Sequence, residues 1–292
     1  MKIGMYGRAV QEKHKGALKH LLARLLSGNH QVFLEPEYAV QMSDLISLSK
    51  LQVNTIDELD HVSDLDFLFS MGGDGTLLDT LLIVGGHSVP VMGINMGRLG
   101  FLTTAGTDQI EECVLALEKG DFTIDKRNVL ALNSEPQLFE TENYALNEFT
   151  IHREDSSTMI TIHTYINGIF LNSYWADGLI VATPTGSTAY SLSCGGPIIS
   201  PQSGNFVITP VAAHNLNVRP FIVSDENELS FKVEGRAGQF LCTLDARNAS
   251  FEPNALLEIK KADFQMDIVR LPDNNFFSTL RTKMNWGMDN RN

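Results

Sequence analysis

The chain has 292 residues, 43% of them hydrophobic and 20% charged, a balance that fits a globular protein long enough for two domains. Its formal net charge of −13 argues against general affinity for nucleic acid or an anionic membrane, since either needs a basic face. Anionic ligands must then be held by local devices: backbone N–H groups, a few arginines, a divalent cation. Cys113, Cys194 and Cys242 are widely spaced and form no C-x-x-C pair, so they read as reduced thiols used for packing. No apolar run approaches the roughly 18 residues of a membrane span, and no apolar signal core precedes the first strand pattern, which makes a cytoplasmic enzyme the expectation.

In chain order, Lys2 to Tyr6 reads as a strand, Gly7-Arg8 as a turn, and Gln11 to Ser27 as a helix with Leu18, Leu21, Leu22, Leu25 and Leu26 at helical spacing. Gly28-Asn29 ends that helix. Val32-Phe33-Leu34 is a second strand, and Met42 to Lys50 a helix opened by Ser43. Phe67 to Met71 is a buried strand that breaks at Gly72-Gly73-Asp74-Gly75-Thr76 before a helix over Thr76 to Val84. Val89 to Asn95 is a further strand, and Thr107 to Lys119 a further helix. Such alternation predicts crossover connections and a mostly parallel sheet, whose ligands bind at the carboxyl ends of its strands.

From Phe122 the pattern changes to period-two alternation. Ile160, Ile162 and Ile166 share a face, Asn167-Gly168 is a strong hairpin turn, and Leu229, Phe231 and Val233 alternate, as do Phe264, Met266 and Ile268. The expected fold is therefore an α/β N-terminal domain with a mostly parallel sheet, followed by a C-terminal all-β sandwich domain. The boundaries fall at residues 1–121 and 122–272, and 273–292 form a C-terminal helix, Asn275 to Trp286, that returns to the first domain.

Three stretches carry chemistry. In the glycine turn, Gly72, Gly73 and Gly75 let a ligand approach the backbone, and their N–H groups at a helix start suit an anion. Asp74 is out of place beside a phosphate unless it accepts a proton from a hydroxyl or binds a metal; the alternative is a plain helix N-cap. The second stretch, Trp175 to Ser191, contains a buried strand, Leu179 to Ala182, followed by Thr183, Thr185, Ser187 and Thr188 among Pro and Gly and then Tyr190. These groups suit sugar hydroxyls, base edges and phosphate oxygens, though a Ser/Thr-rich turn is the alternative. The third is Asn147-Glu148. There is no G-x-x-x-x-G-K-[ST] loop, no G-x-G-x-x-G after a strand and no H-E-x-x-H pair, and the eight histidines are scattered.

Taken in order, Gly72 to Thr76, Asn95 to Leu102, Asn147-Glu148, Asp177 to Tyr190, and Ile208-Thr209-Pro210 with His214 and Arg219-Pro220 closely resemble the NAD kinase family over nearly the whole chain. The glycine-aspartate turn alone is shared with 6-phosphofructokinases and with lipid kinases. The resemblance implies transfer of the γ-phosphoryl of ATP, with Mg²⁺ or another divalent cation, to the 2′-hydroxyl of the adenosine ribose of NAD, giving NADP. It also implies a site between two domains and a homodimer or homotetramer. Carried over by position, Asp74 faces the 2′-hydroxyl, with Gly72, Gly73, Gly75 and Thr76 around the phosphates. Phe101 and Leu102 wall the adenine, and Asn147 and Glu148 hold the NAD. Asp177 lies near the nicotinamide ribose, and Thr185, Thr188, Ala189, Tyr190 and Ser193 surround the adenosine half. Asp245 approaches from a neighbouring subunit. No metal ligand is assigned. Two positions depart from the family pattern: Trp175 stands where many members have Arg, and Ala246 where they have Gly.

Two other classes share parts of this pattern. One is a related kinase acting on a lipid or a sugar phosphate, which has no use for the hydroxyl-rich turn. The other is a non-catalytic dinucleotide sensor, which gains nothing from a carboxylate beside phosphate.

Overall fold

The computed structural model describes residues 1–97, 99–103, 105–140, 142–154, 158–236, 238–272 and 274–285. The chain divides into two units, one made of Met1–Lys126 together with Met266–Asn292, the other of Arg127–Gln265.

The first unit runs β1 (Lys2–Tyr6), α1 (Lys15–Ser27), β2 (Gln31–Leu34), α2 (Pro36–Leu45), β3 (Val53–Thr55), β4 (Phe67–Met71), α3 (Asp74–Val84), β5 (Val91–Asn95), β6 (Ala105–Gly106) and α4 (Ile110–Lys119). Its strands pair in parallel in the order β3-β2-β1-β4-β5, with β6 beside β5. Every residue of β4 and of β5 is buried, as expected for a parallel sheet covered on both faces, and this is why both read as unbroken apolar runs. Leu18, Leu21, Leu22 and Leu25 put one face of α1 into the core with Ile3, Val32 and Phe69. The turns after β1, β4 and β5 carry Gly7-Arg8, the glycine turn and the segment from Met96 to Thr103, all at carboxyl ends of parallel strands.

The helix expected over Met42 to Lys50 lies earlier. Glu35 accepts from the N–H groups of Glu37 and Tyr38, Pro36 takes the first helical position, and the helix ends at Leu45. Ser43, read as its start, donates instead to the Val40 carbonyl inside it. Proline at the first turn lacks only an N–H the helix could not use, and that was the better signal. The helix over Thr76 to Val84 begins at Asp74, with Gly73 in the cap position. Asp74 is therefore not the N-cap.

The second unit is antiparallel. The chain enters it through β7 (Thr123–Glu135) and continues with β8 (Tyr144–Ala145), β9 (Glu148–Arg153), β10 (Ile160–Ile166), β11 (Ile169–Ala176), β12 (Gly178–Ala182), the short α5 (Tyr190–Ser193), β13 (Asn205–Val211), β14 (Phe221–Ser224), β15 (Leu229–Glu234), β16 (Phe240–Leu244), β17 (Arg247–Phe251) and β18 (Leu256–Arg270). One sheet runs β11-β10-β15-β18 and the other β14-β13-β12-β9-β16-β17. Ile160, Ile162 and Phe231 from the first share one buried core with Phe149, Ile151, Leu179 and Phe206 from the second, which makes a sandwich. Asn167 and Gly168 take positive φ of 50° and 76°, closing the β10–β11 hairpin in the register Ile166 to Ile169.

The units divide at Lys126/Arg127 and Gln265/Met266, a few residues from 121 and 272. Both crossings fall inside continuous strands, β7 and β18, so no glycine, proline or change of alternation marks them. Past Arg270 the chain belongs to the first unit and forms α6 (Phe276–Met284), capped by the Asn275 side chain on the Ser278 N–H at 2.9 Å. Trp286, the expected end of this helix, lies outside the described residues.

Candidate functional site

Each unit presents its own cluster. In the first, α3 starts immediately after the glycine turn, and Gly72 is forced by packing, since a Cβ there would sit 2.2 Å from Thr76 Oγ1. Gly73 is exposed, with nothing within 4 Å of where its Cβ would be. The Thr76 and Leu77 N–H groups are spent on the Gly73 carbonyl at 3.0 and 3.2 Å, and the amides just ahead of them are the ones a helix start leaves without an intrahelical partner. An anion can approach them over the open side of Gly73.

The Asp74 carboxylate is held by the segment that follows β5. Its Oδ2 accepts from the Phe101 N–H at 2.7 Å; its Oδ1 accepts from the N–H groups of Leu102 and Thr103 and from Thr103 Oγ1, each at 3.0 Å. Gly100 makes this possible, because a Cβ on it would stand 1.8 Å from Asp74 Oδ1. Thr103 Oγ1 in turn accepts from Asn95 Nδ2 at 2.9 Å, and the Leu102 carbonyl accepts from Arg270 Nη1 at 3.0 Å. Buried Arg270 is itself fixed by Asp125 through its Nε, at 3.1 Å. A carboxylate has about four lone-pair positions. With three donors on Oδ1 and one on Oδ2, the remaining acceptor position is on Oδ2.

Leu102 is buried and Phe101 half-buried, and what both bring to this cluster is their main chain. Arg98, in the middle of the Asn95 to Leu102 stretch, lies outside the described residues. Arg8, after β1, is paired with Asp79 through Nε and through Nη2 at 2.6 Å. Its guanidinium lies against the helix start, since a Cβ on Gly75 would be 3.2 Å from Arg8 Nη1. With Tyr6, Glu35, Gln41 and Asp79 it lines a cavity of about 560 Å³. The sequence reading left Arg8 as a turn residue; a basic side chain at the carboxyl end of a first parallel strand was the available signal.

The second unit gathers Asn147, Glu148, Thr183 to Tyr190 and Asp245. The Thr183 N–H bonds the Asn147 carbonyl at 2.8 Å and Thr183 Oγ1 donates to the Leu146 carbonyl at 2.5 Å. Gly186 packs so closely that a Cβ would be 2.1 Å from the Asn147 oxygen. From the other side Asp245 Oδ2 accepts from the Leu146 N–H at 2.9 Å, and Oδ1 from the N–H groups of Asn147 and Glu148 at 2.8 and 3.1 Å. Asp245 sits at the β16–β17 turn with φ of +52°. Its carboxylate is engaged within its own chain.

Glu148 is 8% exposed and its Oε2 is buried without a hydrogen-bond partner. Burial, reinforced by the charge of Asp245, pushes its carboxyl up to about 8. Burial also raises Asp245, but three amides and Arg247 pull it back. Three amide donors meet the Asp245 carboxylate, whereas Glu148 Oε2 has no donor to favour its charged form.

The hydroxyl-rich turn is mostly turned inward. Ser187 Oγ donates to the Pro184 carbonyl, Thr188 Oγ1 to the Thr185 carbonyl, and Thr185 Oγ1 accepts from buried Arg127 at 3.1 Å. What the segment exposes is Tyr190, whose ring stacks on His152 at 5.7 Å between centroids, and Ser193 on α5. Ala189 and Thr188 are half-buried between them. Asp177, half-buried between β11 and β12, accepts from Arg153 Nη2 at 3.2 Å. Trp175 is exposed, its ring 4.7 Å from that of His214. Among the described residues no three His, Cys, Asp or Glu converge on a point that could hold a metal, and no helix is long and apolar enough to cross a membrane.

Residues 11–122 match the model of the ATP-NAD kinase N-terminal domain, and residues 146–271 that of the ATP-NAD kinase C-terminal domain. The NAD kinase of Cytophaga hutchinsonii is 44% identical over 292 residues, covering the whole of both chains. The NAD kinase of Bacteroides fragilis is 42% identical over 293 residues, again with full coverage of both. Among solved structures, yeast NADH kinase complexed with NADH superposes with a TM-score of 0.85 at 20% identity, covering 100% of this chain and 89% of that one. An NAD kinase from Archaeoglobus fulgidus in complex with ATP gives 0.73 at 24% identity, covering 98% and 99%. At those identities the two structures speak for the fold.

Proposed function

The chain belongs to the NAD kinase family, enzymes that phosphorylate NAD, and from that premise we propose that it transfers the γ-phosphoryl of ATP to the 2′-hydroxyl of the adenosine ribose of NAD, giving NADP. The observation that carries the proposal is Asp74. It is a carboxylate fixed by four donors on the first turn of a helix that opens with a glycine anion turn, and its one open acceptor position is on Oδ2.

An alcohol is a poor nucleophile, and a positioned carboxylate that takes its proton as the phosphoryl moves lowers the barrier. Asp74 Oδ2 is that acceptor. Phosphoryl transfer needs charge neutralisation and alignment more than covalent help. Here the amides at the start of α3 and the Arg8 guanidinium supply it, in a chain that lacks a P-loop lysine. The divalent cation travels with ATP as part of the substrate. A hard cation of this kind takes oxygen ligands, and the phosphates and water supply them.

In the second unit Asn147 and Glu148 bind the dinucleotide, with Asp177, Ala189, Tyr190 and Ser193 lining the rest of its path. Thr185 and Thr188 serve the shape of the turn through the bonds that occupy their hydroxyls. We assign the protein to the cytoplasm, where its substrates are, and expect a homodimer or homotetramer.

The test is direct. Incubated with NAD, ATP and Mg²⁺, the purified protein forms NADP, which an NADP-specific dehydrogenase detects. A folded protein that forms none across divalent metals, with ATP or polyphosphate as donor, overturns the proposal; calorimetric binding of NAD without turnover in the same sample identifies a sensor instead.

A further inference from the structure

We infer that Asp245 is a positioning residue: its carboxylate holds the main chain of Leu146, Asn147 and Glu148 in the form that presents the Asn147 and Glu148 side chains to NAD. The inference rests on the binding role proposed above for those two residues.

The contact is reciprocal and dense. The carboxylate takes all three successive N–H groups, and the Asp245 N–H returns a bond to the Glu148 carbonyl at 3.0 Å. Leu146 and Asn147 stand just before β9, and there the strand's partners are replaced by devices. On the carbonyl side these are the Thr183 N–H and hydroxyl, with Gly186 closing on the Asn147 carbonyl. On the N–H side Asp245 supplies an acceptor to each of the three residues. A short chain segment clamped on both edges cannot rotate its peptide planes, and side-chain direction follows from those planes.

The turn conformation serves the same end. Asp245 is one of five non-glycine residues with positive φ among the described residues, and Asn and Asp are the side chains that tolerate it best. A glycine would fit that φ at no steric cost, so the backbone does not explain aspartate here; the three amides do. The ligand enters the argument through Glu148. Its Oε2 is buried with no partner, and leaving a buried polar atom unpaired is costly unless something else completes it. A ribose hydroxyl or an amide of the dinucleotide would do so, provided the peptide of Glu148 stays where Asp245 fixes it.

Two variants and the wild type decide the matter. Asp245→Asn keeps shape and tolerance of positive φ but sets an NH₂ against amide donors; Asp245→Gly keeps the turn and removes the tether. In ligand-free wild-type protein, amide hydrogen exchange at 146–148 should be slow, and both variants should speed it there while β10 and β15 stay protected. With NAD as the varied substrate, Asp245→Asn should raise KM about tenfold, with kcat within about twofold, as for loss of one charged hydrogen bond. Three results overturn the inference: fast exchange at 146–148 in the wild type, protection retained in Asp245→Gly, or a fall in kcat at unchanged KM. If the wild type makes no NADP, the proposed function fails instead, and the exchange experiment still tests the tether.

Discussion

Replacing Asp74 by asparagine changes one atom and one charge, and the structure says what each is worth. Three of the four donors converge on Oδ1, so the amide settles with its oxygen there and its NH₂ at the Oδ2 position, facing the Phe101 N–H now 2.7 Å from an acceptor. One charge-assisted bond is lost and a donor is set against a donor, while three others fall from charged to neutral strength. Together these cost about 2–4 kcal/mol, discounted for the half-exposed side chain. Spread over a unit of this size, that lowers its melting temperature by about 5–15 °C. The chemical loss is separate: removing a positioned proton acceptor should slow turnover by about 10²–10⁴-fold. The measurements are NADP formation at saturating NAD and ATP, a thermal melt, and NAD affinity by calorimetry, all below the variant's transition. NAD binding should survive. A variant that turns over within about tenfold of wild type, folded and saturated, would refute the proton-acceptor role and leave Asp74 as an anchor for the 101–103 main chain.

Gly100→Ala tests the same geometry with Asp74 chemically intact. Its Cβ would need the space of Asp74 Oδ1, 1.8 Å away, so turnover should fall by at least about tenfold, and full activity would show that the loop does not set the carboxylate. Burial, and then the charge of Asp245, push the Glu148 carboxyl up to about 8, so the native state binds the extra proton. Its contribution is intact below about pH 4.5 and is lost as the pH rises through about 8. Glu148→Gln should remove that loss, narrowing or reversing its stability difference from wild type between pH 6 and pH 9 in urea titrations; a constant difference contradicts the assignment. Gly186→Ala, with a Cβ 2.1 Å from the Asn147 oxygen, should cost several kcal/mol or abolish folding of the second unit, and a normal melt would mean the turn relaxes freely.

Much of this was legible in the residues because local chemistry and long-range packing agreed. Buried parallel strands wrote themselves as apolar runs, and Asn167-Gly168 announced its hairpin. The start of α2 is written in Glu35-Pro36, a side-chain cap followed by proline at the first helical position, and Ser43 inside the helix is the weaker signal. The units divide a few residues from 121 and 272, where strands β7 and β18 carry the chain across without interruption and leave no local mark. The hydroxyls of Thr183, Ser187 and Thr188 read as ligand contacts; in the fold Ser187 and Thr188 donate to carbonyls of their own turn and Thr183 to that of Leu146. Nothing local could have told the donors that Asp74 and Asp245 accept from, since those lie 27 to 29 and 97 to 99 residues away. A carboxylate's type is visible in sequence; what it faces is decided by the fold.

The first unit is interrupted: its opening 126 residues are completed by a segment that begins at Met266. Ile268 adds beside Val91 at the edge of its sheet, and Arg270 reaches the Leu102 carbonyl, next to the amides that hold Asp74. On a ribosome these pieces emerge in the order of the chain, so the loop around Asp74 waits unsupported while the whole second unit is made. The sandwich, continuous from Arg127 to Gln265, can fold as soon as it has emerged; the α/β unit cannot close until after it. The main-chain donors around Asp74 are thus the last to be completed, after every residue of the cluster around Glu148 and Asp245 has been made.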